Sequence, residues 1–149
     1  MLTDSNLLVR CAQPDDPMHE TAIRAVTTLE KNRNSLVLVP QVIYEFWSVA
    51  TRPENLRGGL SLTPNEADQK IQELLLVIRL LSDPPNLYET WLSLVRKYSV
   101  RGVNVHDARL VAAMVGLNIT HLLTFNTKDF ARYTEITVVH PQDIKAFVG

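Results

Sequence analysis

The sequence predicts an α/β fold whose parallel sheet is covered on both faces, and three observations carry that prediction. Short continuous apolar runs, the profile of strands buried on both sides, alternate along the chain with amphipathic segments of helical period. Prolines and capping residues mark the joints between them, and no linker, internal repeat or low-complexity tract divides the chain. A length of 149 residues with 46% apolar composition suits one domain, residues 1–149, with a sizeable core.

Met1-Leu2-Thr3 reads as the end of a very short strand. Asp15-Asp16-Pro17 opens a helix, because proline in the first turn costs no hydrogen bond, and Ala22, Ile23, Val26 and Leu29 carry it to about Asn32. Leu36-Val37-Leu38-Val39 is an apolar run stopped by Pro40, a buried strand. From Gln41 to about Arg52 a helix follows, with Val42, Phe46 and Val49 in one row. Arg52-Pro53 and Gly58-Gly59 then bracket a loop. Thr63-Pro64-Asn65-Glu66 joins a capping box to a proline at the first helical position. A long helix is predicted from there through Ala67, Ile71, Leu74, Leu75 and Ile78, ending by Ser82-Asp83-Pro84-Pro85. Leu87, Trp91, Leu94, Val95 and Tyr98 form the stripe of a further amphipathic helix. Another runs from His106 to about Val115. His121–Thr124 and Ile136–Val139 are short strands, and Pro141 opens a last helix.

Fifteen Lys and Arg stand against sixteen Asp and Glu, a formal charge of -1. That excludes a polycation gripping nucleic acid by bulk charge and leaves room for a local basic groove. The single cysteine, Cys11, excludes an intramolecular disulfide and a cysteine-built zinc site. No apolar run reaches the roughly 18 residues of a spanning helix, and Asp4 stands where a secretion signal is apolar. The expectation is a soluble cytoplasmic protein with no membrane partner.

In a parallel sheet, ligands gather beyond the carboxyl ends of the strands, so polar residues just after a strand or at a helix start draw attention. Asp4 directly follows the first strand; the alternative is a helix N-cap. Glu45 sits between Ile43-Tyr44 and Phe46-Trp47, where a buried charge needs a partner, water or a metal. Its alternative is a narrow solvated side shared with Gln41 and Ser48. Asp107 lies in the first turn of a helix, where the dipole favours an acid and Asn104-Val105-His106-Asp107 resembles a capping box. Thr124 to Phe130 places Thr124, Asn126 and Asp129 just past a strand, in what is otherwise an ordinary turn. Together these acids converge on one sheet edge. Clustered carboxylates repel one another, and a hard divalent cation resolves that repulsion. Oxygen donors without histidine or cysteine point to Mg²⁺ or Mn²⁺. Such an ion activates water and stabilises charge developing on a phosphodiester.

These residues resemble the PIN domain, especially stand-alone bacterial members of the VapC type, the ribonuclease toxins of toxin–antitoxin pairs. Asp4-Ser5-Asn6 is similar to the family's opening motif, and Gln41-Val42-Ile43-Tyr44-Glu45 to the helix carrying its second acid. His106-Asp107-Ala108 with Val111-Ala112-Ala113 resembles the third-acid helix. Leu122 to Phe130 resembles the strand and turn bearing the fourth polar group. The resemblance covers essentially the whole chain in order. It implies a three-layer α/β/α sandwich with a mainly parallel sheet, Mg²⁺- or Mn²⁺-dependent cleavage of RNA, a cognate antitoxin and a homodimer. Asp4, Glu45 and Asp107 would hold the metal with Asn126 or Asp129 completing the set. Ser5, Asn6, Thr124, Arg52 and Arg57 would meet the RNA. Two departures stand out: only three residues precede Asp4, and Asn126 occupies the position where the family usually has its fourth acid.

Other chemistries find less support. His19, His106, His121 and His140 lack metal-ligand spacing, and no phosphate-cradling glycine loop occurs. A Ser48/His106/Asp107 triad would need adjacent side chains that splay apart at a helix start. Two alternatives to the nuclease remain: an inactive PIN-like protein-binding module, and a small-molecule phosphatase on the same acids. The stripe of Trp91, Leu94 and Tyr98 is wide enough for the core, while Leu74–Ile78 is apolar nearly all round, so part of it should meet a second subunit or a covering helix; a twofold homodimer is expected.

Overall fold

A computed structural model describes residues 1–33 and 35–149. Five strands, β1 (Leu2–Thr3), β2 (Val37–Leu38), β3 (Arg79–Leu80), β4 (His121–Leu123) and β5 (Thr137–Val139), form one sheet. They lie in the order β3-β2-β1-β4-β5, and every pairing is parallel. The helices are α1 (Ser5–Ala12), α2 (His19–Lys31), α3 (Pro40–Thr51), α4 (Pro64–Leu75), α5 (Leu87–Lys97), α6 (Val105–Gly116), α7 (Thr127–Phe130) and α8 (Ile144–Val148). The predicted α/β sandwich with a parallel sheet is the observed fold.

β1 is two residues long yet central. Leu2 and Thr3 are fully buried, and Leu2 is in register with both Val37 and Leu122. The chain first builds outward from β1 through β2 to β3, then returns to β1's other side as β4 and continues to β5. The gap between β1 and β4 is therefore the switch point where crossover direction reverses and a crevice opens. Asp4 lies there, its backbone N–H donating to the Leu123 carbonyl at 3.0 Å.

Local chemistry sets the joints. Thr63 Oγ1 accepts from the Glu66 N–H and Pro64 stands at the first turn of α4, as the capping pattern predicts. Pro40 opens α3 in the same way. The segment after α4 corrects the sequence reading, which ran that helix on through Ile78. Instead α4 stops at Leu75, a turn buries Ile78, and Arg79–Leu80 pairs with Val37–Leu38 as the sheet's edge strand. Helical spacing of Ile71, Leu74, Leu75 and Ile78 could not distinguish a helix from a helix ending in a turn. The unmet hydrogen bonds of β2 decide the matter. Leu76, Val77 and Leu80 are exposed as a result. The α5 stripe turns inward, as its width predicts: α5 packs on α6, and the Trp91 indole N–H donates to the Val105 carbonyl at 2.9 Å. Two short helices were not anticipated as such, α1 and α7. Both directly follow a predicted site residue. Among the described residues, no helix is long and apolar enough to cross a membrane.

Candidate active site

Asp4 leads the site from the end of β1. It caps α1, its Oδ1 accepting the Ser5 N–H at 2.7 Å, as the capping reading of this residue expects. Its Oδ2 accepts from the Thr124 hydroxyl at 2.7 Å and from the Asn6 amide at 3.0 Å. Asp4 is only 5% exposed. Burial raises its pKa; the Thr124 hydrogen bond opposes that, and the Glu45 charge adds to it.

Glu45 reaches the same place from α3. Ser5 Oγ donates to its Oε2 at 2.9 Å, and Gln41 Nε2, one helical turn earlier, donates to its Oε1 at 2.8 Å. The side shared by Gln41 and Glu45 is not a solvated stripe, because Gln41 is buried. It faces α6, where Gln41 Nε2 also donates to the His106 carbonyl at 2.8 Å.

Asp107 follows His106 in the first turn of α6. Its carboxyl is pushed up to about 7, first by burial and then by the charges of Asp4, Asp129 and Glu45, with Arg132 pulling the other way. Four acids from four separate elements thus act on one another electrostatically. The carboxylates crowd, and burial is the largest single cause of the shift. No group of three or more Asp, Glu, His or Cys side chains among the described residues is drawn close enough to cage an ion as it stands. The donor set is nonetheless all oxygen, and a cation would relieve its mutual repulsion.

The remaining predicted residues divide clearly. Asp129, in α7, acts on Asp107 through its charge. Asn126 precedes α7, is exposed, and makes no side-chain capping bond. Asn6 is spent on structure: besides Asp4, its amide donates to Thr124 Oγ1 at 3.0 Å, and its Oδ1 accepts the Phe125 N–H at 3.2 Å. Thr124 corrects the sequence reading. It is fully buried under Asp4, so it organises the carboxylate and cannot touch RNA. Arg52 donates to the Arg57 carbonyl at 3.3 Å and to Ser48 Oγ at 3.3 Å, closing the loop after α3. Gly59 belongs to that closure, since a Cβ there would run into the Arg52 carbonyl. Arg57 is exposed and lines, with Ser5, Asn6 and Arg10, a cavity of about 290 Å³ beside the acids.

Sequence reasoning missed Arg109 and undervalued Gln41. Arg109 Nη1 donates to Gln41 Oε1 at 2.9 Å while its Nη2 pairs with Asp83 at 3.0 Å. A glutamine at the start of an otherwise apolar helix face was the only available sign.

The sheet is parallel, and the acids lie toward the switch point between β1 and β4. The chain belongs to the PIN domain family, which it matches over residues 1–136. Among solved structures it is similar to VapBC2 from Rickettsia felis, solved bound to a DNA fragment from their promoter. The TM-score is 0.70 at 14% identity, covering 93% of this chain and 96% of that one. It is also similar to Mycobacterium tuberculosis VapC20, a sarcin-ricin loop cleaving toxin. There the TM-score is 0.62 at 20% identity, covering 91% of this chain and 97% of that one. No curated protein matches the sequence significantly.

Proposed function

We propose that this chain is a divalent-metal-dependent endoribonuclease, the toxin of a toxin–antitoxin pair. One observation carries the reading: Ser5 joins Asp4 to Glu45, and Gln41 joins Glu45 to the His106 carbonyl beside Asp107, so acids from distant parts of the chain meet in a half-buried setting at the sheet's switch point. An ordinary surface or capping acid has no such surroundings, and perturbed carboxylates at a strand-end crevice mark working sites. Membership of the PIN family and the likeness to toxin folds support the substrate class.

Asp4, Glu45 and Asp107 would hold Mg²⁺ or Mn²⁺, with Asp129 or Asn126 completing the set. A bound ion supplies water activation and neutralises charge on the phosphodiester oxygens. The chain's own groups do the rest. Ser5 and Gln41 each hold one oxygen of Glu45, and Asn6 and Thr124 hold one oxygen of Asp4. These bonds leave unoccupied lone pairs on both acids for a cation. Arg57, which lines the neighbouring cavity, would meet a phosphate of the strand. Arg10 is less free, being paired with Asp16 at 3.1 Å and lying over the Phe125 ring.

Chelation tests the reading. Purified protein should cleave single-stranded RNA with Mn²⁺ or Mg²⁺, lose that activity in EDTA, and recover it on addition of Mn²⁺ in excess. Intact RNA together with no saturable Mn²⁺ uptake by calorimetry would decide for a binding module. Release of phosphate from a phosphomonoester with RNA left intact would decide for a phosphatase. The same reading includes an antitoxin partner and a homodimer, the exposed Leu76, Val77 and Leu80 lying outside the core. Sedimentation velocity should give a dimer at micromolar concentration; a monomer counts against it.

A further inference from the structure

The acids are not held only by what touches them. A row of hydrogen bonds runs from Asp83, in the loop after β3, to Arg109 on α6, to Gln41 on α3, and on to Glu45, Ser5 and Asp4. Gln41 is the joint of this row, and it is 6% exposed. Its amide has one orientation. A guanidinium only donates, so the oxygen must face Arg109; the NH₂ then meets two acceptors, Glu45 Oε1 and the His106 carbonyl. Flipping the amide would set donor against donor and acceptor against acceptor. Arg109 is fixed from the far side by Asp83 Oδ2.

This geometry has a mechanical meaning. Glu45 belongs to α3, and His106 immediately precedes Asp107 on α6. One buried NH₂ group therefore ties the second acid's carboxylate to the backbone that carries the third. Charge repulsion between Glu45 and Asp107 acts to part them. The amide opposes that motion in the absence of any ion.

We propose that Gln41, anchored by Arg109 and Asp83, is a positioning residue that presets the separation of Glu45 and Asp107 for a divalent cation. The proposal rests on the metallonuclease reading above. Gln41 touches neither ion nor RNA in this role; it acts through Glu45 and through the start of α6. Groups that orient metal ligands in this way typically matter 10- to 100-fold in affinity or activity.

The test is a double-mutant cycle on the full chain, read by calorimetric titration with MnCl₂ alone and by RNA cleavage. Gln41→Met should weaken Mn²⁺ binding about 10- to 100-fold and lower kcat, leaving KM for RNA unchanged. Arg109→Met should weaken Mn²⁺ binding by a smaller factor. In the Gln41→Met background it should cost nothing more, because Arg109 acts only through Gln41. A purely structural role for each residue predicts losses that multiply, and that result overturns the proposal. So does Mn²⁺ binding by Gln41→Met as tight as that of the unsubstituted chain. Should Gln41→Met fail to fold, Arg109→Met decides alone, since its side chain reaches the surface; unchanged Mn²⁺ affinity there overturns the anchor. An unsubstituted chain that takes up no Mn²⁺ overturns the metallonuclease reading and the positioning role with it. One that binds Mn²⁺ with an affinity indifferent to Gln41 overturns the positioning role alone.

Discussion

Replacing Asp107 with asparagine should abolish most RNA cleavage and at the same time make the metal-free protein more stable at neutral pH. The two effects share one cause. The carboxyl is pushed up to about 7 from an ordinary value of 3.8, by burial and by Asp4, Asp129 and Glu45. Between those two values the folded chain binds more protons than the unfolded one, so this group's contribution to stability falls as pH rises through the window. Asparagine is nearly isosteric and carries no charge, so it escapes the loss. The melting temperature of the metal-free variant should match that of the unsubstituted chain near pH 4 and exceed it by several degrees at pH 8. Cleavage should drop by roughly 100-fold or more, the scale on which one group stabilising developing charge is felt. Added Mn²⁺ should raise the melting temperature of the unsubstituted chain far more than that of the variant. Full activity in Asp107→Asn with Mn²⁺ present would remove Asp107 from the site.

How much of this was legible in the sequence depends on the range of the interaction concerned. Local chemistry read well. The Thr63 cap opens α4 where the capping rules put it, α3 begins at Pro40, one residue before the expected Gln41, and the apolar run around Val37–Leu38 is a buried parallel strand. The run after Leu75 did not read, because spacing of three and four residues is the same for a helix and for its last turn followed by a strand. Only the pairing with β2 separates them. Among the site residues, Glu45 was conspicuous as a charge in an apolar setting, and Asp4 as an acid directly after a strand. What supports them lies beyond one sequence's reach. Gln41 meets Arg109 across 68 residues, and Asp4 meets Thr124 across 120. Asp4 is also a case where two competing readings were never exclusive. A helix cap fixes a carboxylate with an N–H on one side and leaves the rest of the group free for other partners. Asn126 and Asp129, three residues apart on one turn, differ in that Asp129's charge acts on Asp107.

Thr124→Val should be the most damaging substitution that leaves every acid in place. The change is isosteric but deletes a hydroxyl that makes three bonds, donating to Asp4 Oδ2 and accepting from the Asn6 amide and the Asn126 N–H. Thr124 is fully buried and Asp4 nearly so, hence little water replaces what is lost. A hydrogen bond to a charged group, together with the donors left unmet, amounts to about 2–3 kcal/mol. For a domain of this size that is a fall in melting temperature of about 4–12 °C. The second consequence is electrostatic. The Thr124 bond is the foremost influence holding the Asp4 pKa down against burial, so its removal moves that pKa further up. A cation competes with the proton for that carboxylate, so Mn²⁺ affinity should fall off at a higher pH in the variant than in the unsubstituted chain as the solution is acidified. Thr124→Ser keeps the hydroxyl and should restore the pH profile while losing only the packing of one methyl group. Calorimetric Mn²⁺ titrations at several pH values on the two variants would separate the effects: a pH dependence in Thr124→Val identical to that in Thr124→Ser means that the hydroxyl does not tune Asp4.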